Sequence, residues 1–508
     1  MINRRQFVGI TGAAMAAAQS TPPPAAPNIV LITDDQHNAR NLSCYGDSLV
    51  RTPNLDRLAA RGMRFTHAYA QGIMCAPSRV TMMNGQYVHS HGYYGNSGPI
   101  PPNPVWMPTW LRRHGYQTAH VGKAHFGYER TKREFEFVRI CDRIDTDPKD
   151  PLTNDYFRML LAHGRQDDHD VLIGQRRGPD VCFRSLLPKE LSLEWWTADT
   201  AIEFLRQRDR GRPFFAHFGF ERPHAPITPP APYDTMYDPA RVPLPPSVND
   251  DFRGKPAEQL AAARRSTYPY HPTDHRKLQQ IMAMYFGLIT LIDYNIGRIL
   301  GELEVQGLTN NTLVIFCADH GDFSGEHGFF HKNLGMYEAI ERVPYIVAGP
   351  GFPGGQVRDE LVEQVDIFPT VCDAAGLLAP FSVQGLSLKK LDRWPRTAAF
   401  SESEDRKGIR TLRWRMTFDP AGKACELYDH DHDPWEMRNL YDEPAFREVR
   451  LDLLEQYMRF YASTEQQTIA TSNRRDRRIQ MPPGPTYDLW WKDEDWEVVQ
   501  KRYGLKAR

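Results

Sequence analysis

The chain has 508 residues, 41% of them hydrophobic, which is enough to bury a large core and to build two domains. Its formal net charge of −1 gives no electrostatic reason to expect nucleic acid or an anionic membrane as a partner. No apolar run reaches the length of a bilayer span, so no membrane-spanning helix is expected.

At the N-terminus, Asn3-Arg4-Arg5-Gln6-Phe7 resembles the core of a twin-arginine export signal, followed by a mildly apolar run and small residues at 16–18. A Pro/Ala-rich spacer follows over residues 21–27. A short apolar helix of the mature domain is the alternative. Residues 1–26 are therefore expected to be signal peptide and spacer, and the protein to be exported to the periplasm or secreted. The chain carries seven cysteines and no C-x-x-C spacing, which argues against zinc ribbons and thioredoxin-type sites. Cys141 and Cys182 are candidates for a disulfide whose pairing the sequence does not establish.

Residues 28–33 form an apolar, β-branched run of the kind found in buried parallel strands, and residues 118–121, 213–218 and 312–317 share its character. Helical periodicity falls between them, at residues 55–62, 195–207 and 278–304. This alternation predicts an α/β domain with a large, mostly parallel central sheet flanked by helices. Residues 366–375 read as a helix. Strands are expected at 397–400 and 410–418, residues 426–429 lead into a polar turn, and a closing helix is expected at 443–461. The boundaries drawn from this are a catalytic α/β domain over 27–384 and a smaller α+β domain over 385–508. The latter ends in a wrapped tail bearing Trp490, Trp491 and Trp496.

Polar groups gather directly after the apolar runs. The first ends in Asp34-Asp35 and the late one in Asp319-His320-Gly321-Asp322. In open parallel sheets, ligands bind beyond the carboxyl ends of the strands, so both acidic clusters are expected at one edge. Carboxylates with an imidazole make a hard, oxygen-rich site for Ca²⁺ or Mg²⁺. The other runs lead to Lys123 and His125, and to His224, while Lys332 follows the Asp319 cluster; together these can surround a divalent anion with donors. Cys75-Ala76-Pro77-Ser78-Arg79 opens a further segment. There Pro77 suits the first turn of a helix and Gly85 its end, which sets Cys75 at a helix N-terminus.

The order of these segments resembles the type I, formylglycine-dependent sulfatases of the alkaline phosphatase superfamily. Cys75-Ala76-Pro77-Ser78-Arg79 is similar to the family's modification motif, and Asp34-Asp35, Gly122-Lys123-Ala124-His125, Pro223-His224, Asp319-His320 and Lys332 follow its order. The resemblance implies an alkaline-phosphatase-like fold and hydrolysis of a sulfate monoester to alcohol and inorganic sulfate. It implies oxidation of Cys75 to formylglycine by a formylglycine-generating enzyme. It assigns a metal, Ca²⁺ with Mg²⁺ or Mn²⁺ as alternatives, to Asp34, Asp35, Asp319, His320 and the modified Cys75. Arg79 and Lys123 would hold the hydrated aldehyde and the sulfate, and His125 would act as base. His224 and Lys332 would contact the sulfate, either one serving as the acid.

Asn84, Ile73 and Ala124 depart from the residues usual in the family at those places, which bears on substrate preference rather than on the reacting groups. A phosphonate monoester or phosphodiester hydrolase of the same superfamily is the alternative reading, and Lys123 and His125 disfavour it. An inactive binder of sulfated glycans is a second alternative. The resemblance implies a sulfated small molecule or saccharide as substrate. Its choice is expected to lie with residues 93–96, 132–189, 230–274 and 406–413.

Overall fold

Eight strands form the central sheet in the computed structural model, which describes residues 26–96, 105–142, 146–147, 150–170, 182–264, 274–332, 335–419 and 421–464. In chain order they are β1 (Asn28–Asp35), β2 (Met63–Tyr69), β3 (Gln117–Gly122), β4 (Phe137–Ile140), β5 (Phe214–Pro223), β6 (Thr312–Ala318), β7 (Tyr345–Ala348) and β8 (Gln356–Glu363). Their order across the sheet is β4-β3-β5-β1-β6-β7-β2-β8. All neighbours are parallel except β7, which runs antiparallel to both β6 and β2. The mixed but mostly parallel sheet is the architecture expected. The segment expected to be an export signal and the expected Trp-bearing tail lie outside the described residues.

The four strands expected from apolar runs are β1, β3, β5 and β6, and they pack side by side as β3-β5-β1-β6. Every residue of β1 and β6 is buried, because helices cover both faces. Val30, Ile32, Phe218 and Phe316 face one core with the helices Leu193–Gln207 and His275–Val305. Ile29, Leu31, Phe215 and Ile315 alternate to the other side, beneath the helices Cys75–Asn84 and Ile367–Ala374. Gly122 and Gly219 permit a close approach of β3 to β5. A Cβ on Gly122 would collide with the Gly219 carbonyl, and one on Gly219 with that of Lys123.

A second, antiparallel sheet follows, ordered β12-β11-β10-β9, from β9 (Ala399–Glu402), β10 (Lys407–Arg410), β11 (Trp414–Phe418) and β12 (Glu426–Asp429). The single strand expected at 410–418 is in fact a hairpin, with residues 411–413 turning between β10 and β11. The helix Arg447–Thr464 closes this unit over Phe400, Ile409, Met416 and Leu427. None of the seven cysteines forms a disulfide, so Cys141 and Cys182 are not paired with each other. Cys141 faces Glu221 at 3.9 Å, and Cys182 faces the Met284 sulfur at 3.3 Å.

A buried charge network joins the two sheets. Arg415, 0% exposed, is ion-paired with Glu436 and lies between the rings of Tyr337 and Tyr428 at 5.2 and 5.0 Å. Glu436 in turn accepts the Glu338 backbone N–H at 2.9 Å, and Glu338 accepts from Arg410 at 2.9 Å and from the Tyr69 hydroxyl on β2 at 3.1 Å. Removing one member of a buried pair leaves its partner's charge uncompensated. Arg415→Leu is therefore expected to lower stability by about 3–5 kcal/mol, measured as the shift in the urea unfolding midpoint; an unchanged midpoint would refute that role.

Candidate active site

The carboxyl ends of β1, β3, β5 and β6 open on one edge, and the helix Cys75–Asn84 arrives there N-terminus first. Pro77 occupies its first turn, and Gly85 ends it in the left-handed region at φ 68°. All ten of its residues are buried, so Cys75 sits in the interior with the helix's positive end aimed at it.

Around Cys75 the site closes tightly. Lys332 Nζ donates to Cys75 Sγ at 2.8 Å, His320 Nε2 lies 3.2 Å away, and Asp35 Oδ1 lies at 3.5 Å. Asp35, Cys75, Asp319 and His320 each offer a ligand atom, all within 4.8 Å of one another. Lys123 Nζ reaches Asp35 Oδ2 at 2.8 Å. Arg79 bridges the acidic groups, its Nε donating to Asp319 Oδ2 at 2.9 Å and Nη2 to Asp35 Oδ2 at 3.1 Å. Its Nη1 donates to the Lys123 carbonyl at 2.9 Å and to Thr33 Oγ1 at 3.4 Å. One Nη2–H is then left over from the guanidinium's donors for a further anion.

The electrostatics follow from this crowding. Burial alone would push the Cys75 thiol up, but Lys332, Lys123 and His320 hold it well below its ordinary value. Burial and Cys75 push Asp35 up, and Lys123, His224 and Arg79 outweigh them, so its carboxyl titrates below the usual range. Asp319 moves upward, through burial first and then the charge of Asp35. Two carboxylates sharing one desolvated site are pushed apart in this way.

A divalent cation fits this donor set. Asp34 Oδ2 accepts from His37 Nδ1 at 2.5 Å, while its buried Oδ1 has no hydrogen-bond partner among the described residues. His320 commits Nδ1–H to the Gly321 carbonyl at 2.8 Å, so that on losing its other proton to a metal its Nε2 would offer a lone pair to the cluster. Oxygen-rich ligands with one imidazole suit Ca²⁺, Mg²⁺ or Mn²⁺ better than a soft metal.

His125 follows Lys123 with a left-handed backbone, φ 67°, and its Nδ1 stands 3.7 Å from Asp142 Oδ2. Burial pushes its pKa down, and Asp142 leads the influences that bring it above the ordinary value. His224 directs Nδ1–H to the Ala225 carbonyl at 2.7 Å and is near enough for its charge to lower the pKa of Asp35. Thus Asp34, Asp35, Cys75, Arg79, Lys123, His125, His224, Asp319, His320 and Lys332 share one edge of the sheet. The expected set omitted His37, Asp142 and Ser78, whose hydroxyl donates to the Asp319 carbonyl at 2.5 Å. It also omitted three residues beneath Arg79: Thr33, His120 and His217. The only sequence signal for the two histidines was a polar residue inside an otherwise apolar strand.

Comparisons with known proteins bear on the family of the whole chain. The sulfatase family model matches residues 27–377, and the model for the C-terminal part of N-sulphoglucosamine sulphohydrolase matches residues 325–463. An arylsulfatase of Clostridium perfringens (strain 13 / Type A) is 31% identical over 455 residues, covering 84% of this chain and 92% of its own length. A solved structure in complex with its substrate D-glucosamine-2-N,6-O-disulfate superposes with a TM-score of 0.70 at 23% identity, over 86% of this chain and 98% of the other. The phosphonate monoester hydrolase of Silicibacter pomeroyi superposes with a TM-score of 0.74 at 26% identity, over 87% of this chain and 96% of the other. Among the described residues no helix is long and apolar enough to cross a membrane. The chain is an enzyme of the sulfatase type and belongs to the sulfatase family, within the alkaline phosphatase superfamily.

Proposed function

We propose that this enzyme hydrolyses the sulfate monoester of a small molecule or saccharide through a formylglycine made from Cys75. The observation that carries the reading is the setting of Cys75, at a buried helix N-terminus within 2.8 Å of Lys332 and beside the Asp35–Asp319–His320 cluster. A formylglycine hydrate supplies one hydroxyl to attack sulfur and a second through which sulfate is expelled and the aldehyde restored. A divalent cation held by Asp34, Asp35, Asp319 and His320, Ca²⁺ or alternatively Mg²⁺ or Mn²⁺, supplies charge that favours an ionised nucleophile.

The chain's own residues do the rest. Arg79 and Lys123, fixed by Asp35 and Asp319, present positive charge to the equatorial sulfate oxygens at no reorganisation cost. His125, backed by Asp142, takes the proton whose loss releases sulfate. His224 or Lys332 gives a proton to the departing alcohol. Residues 1–26 act as a twin-arginine signal, and a formylglycine-generating enzyme acts on Cys75 before export, since a cysteine this deeply buried is inaccessible once the chain has folded. Catalytic and C-terminal domains divide near residue 385.

The fold shared with phosphonate monoester hydrolases keeps that activity as the second reading. Purified enzyme is assayed on an aryl sulfate, a panel of sulfated saccharides, and phosphonate monoester and phosphodiester controls. The best sulfate ester is expected to exceed the controls in kcat/KM by at least about tenfold, and chelation to remove activity that added Ca²⁺ restores. Faster turnover of a phosphonate or phosphodiester than of every sulfate would reverse the assignment.

A further inference from the structure

Below Arg79, three polar side chains cross the sheet in a region otherwise filled by apolar residues. His120 Nε2 lies 3.1 Å from the Gly122 carbonyl, and His120 Nδ1 lies 3.1 Å from His217 Nδ1. His217 Nε2 lies 2.9 Å from Thr33 Oγ1, and Arg79 Nη1 donates to that oxygen at 3.4 Å. Strand register explains the placement. His120 pairs with His217 across β3 and β5, His217 pairs with Leu31 across β5 and β1, and Thr33 is two residues beyond Leu31 on the same face. Each of the three is at most 1% exposed.

The direction of every hydrogen bond in this chain is fixed from one end. A carbonyl only accepts, so His120 carries its proton on Nε2 and its Nδ1 is bare. That bare nitrogen needs a donor, so His217 carries its proton on Nδ1. The Nε2 of His217 is then an acceptor and takes the Thr33 hydroxyl proton. With its proton so committed, the Thr33 oxygen turns lone-pair density to Arg79. Neutral rings are what the surroundings favour. Burial first, then His120 and Arg79, hold His217 well below its ordinary value, and burial takes His120 down to about 3.

We propose that Thr33, His217 and His120 form a positioning relay that sets the rotation of the Arg79 guanidinium. Asp35 and Asp319 draw Arg79 toward the cluster on two of its nitrogens. The relay and the Lys123 carbonyl hold the third nitrogen from below. The plane of the fork is thereby fixed, and with it the direction of the remaining Nη2–H that the proposed reaction uses. A merely structural pair of buried histidines would need no acceptor turned toward Arg79.

Thr33→Val and Thr33→Ser separate the two roles. Valine fills the space but removes the hydroxyl, while serine keeps the hydroxyl and leaves a cavity. Thr33→Val is expected to lower kcat and kcat/KM together by roughly 10- to 100-fold, and to melt lower because His217 Nε2 loses its donor. Thr33→Ser is expected to stay within about threefold of wild-type kcat while melting lower. Equal kcat for Thr33→Val and wild type, or losses as large in Thr33→Ser, would overturn the proposal. Histidine ¹⁵N shifts of the wild-type enzyme test it independently of activity: Nδ1–H on His217 with Nε2–H on His120 is expected, and the opposite tautomers would overturn it. The inference rests on the role given to Arg79 above. Failure of the wild type to cleave any sulfate ester would sink that role, and the tautomers would still judge the relay.

Discussion

Cys75→Ala is expected to abolish sulfate ester turnover, a fall of about 10⁵-fold or more, because no other group near the site can form and release the covalent bond. The fold should survive. Cys75 is a small, 1%-exposed side chain, and shortening it to alanine removes little apolar contact, so the melting temperature should stay within a few degrees of wild type. Lys332 and His320, at 2.8 and 3.2 Å from Sγ, remain to hold a water in its place. Wild-type protein supplies the companion measurement. The peptide containing residue 75 should be lighter than its cysteine form by the mass of H₂S less one oxygen atom, and should be so in exported protein. Full activity in Cys75→Ala would end the proposed chemistry. Exported protein carrying only unmodified cysteine would refute modification before export.

Arg79→Ala is the second large effect, and it acts on activity and stability together. The guanidinium is 1% exposed and ties Asp35 and Asp319 to the Lys123 carbonyl. Without it two buried carboxylates lose their shared cation, which costs about 3–5 kcal/mol. The charge facing the sulfate goes too, and losing one such donor lowers kcat by about 10²–10³-fold. Arg79→Lys should regain part of the stability and little of the activity, because an ammonium cannot reach Asp35, Asp319, Lys123 and Thr33 from one fork. Thermal melts and kcat/KM of the three proteins decide this. A lysine variant with near-wild-type kcat/KM would show that charge alone suffices.

The central strands were legible because each is buried on both faces and so reads as a continuous apolar run. The strands that escaped notice have no such signature. β8 is Gln-Val-Arg-Asp-Glu-Leu-Val-Glu, an edge strand with exposed Gln356, Val357 and Asp359, and β7 has four residues. Residues 410–418 looked like one strand because Trp414–Phe418 is strongly β-prone, and the turn at 411–413 lacks Gly, Pro, Asn and Asp. The proposed reacting groups were legible for another reason: each follows an apolar run or belongs to a motif with its own local order. Asp142 had neither cue, and His37 follows the first apolar run but belongs to no motif; both became visible only as partners of His125 and Asp34.

By itself the sequence determined the α/β class, the existence of a second smaller unit, and which polar groups stand at strand ends, since these depend on periodicity within a few residues. Only the tertiary structure decided that β7 runs against its neighbours, that Cys141 and Cys182 stay apart, and that Thr33, His120 and His217 line up under Arg79. Those facts depend on strand order and register between segments tens to hundreds of residues apart. Burial and hydrogen-bond satisfaction over the whole sheet select that register, and no local pattern carries it.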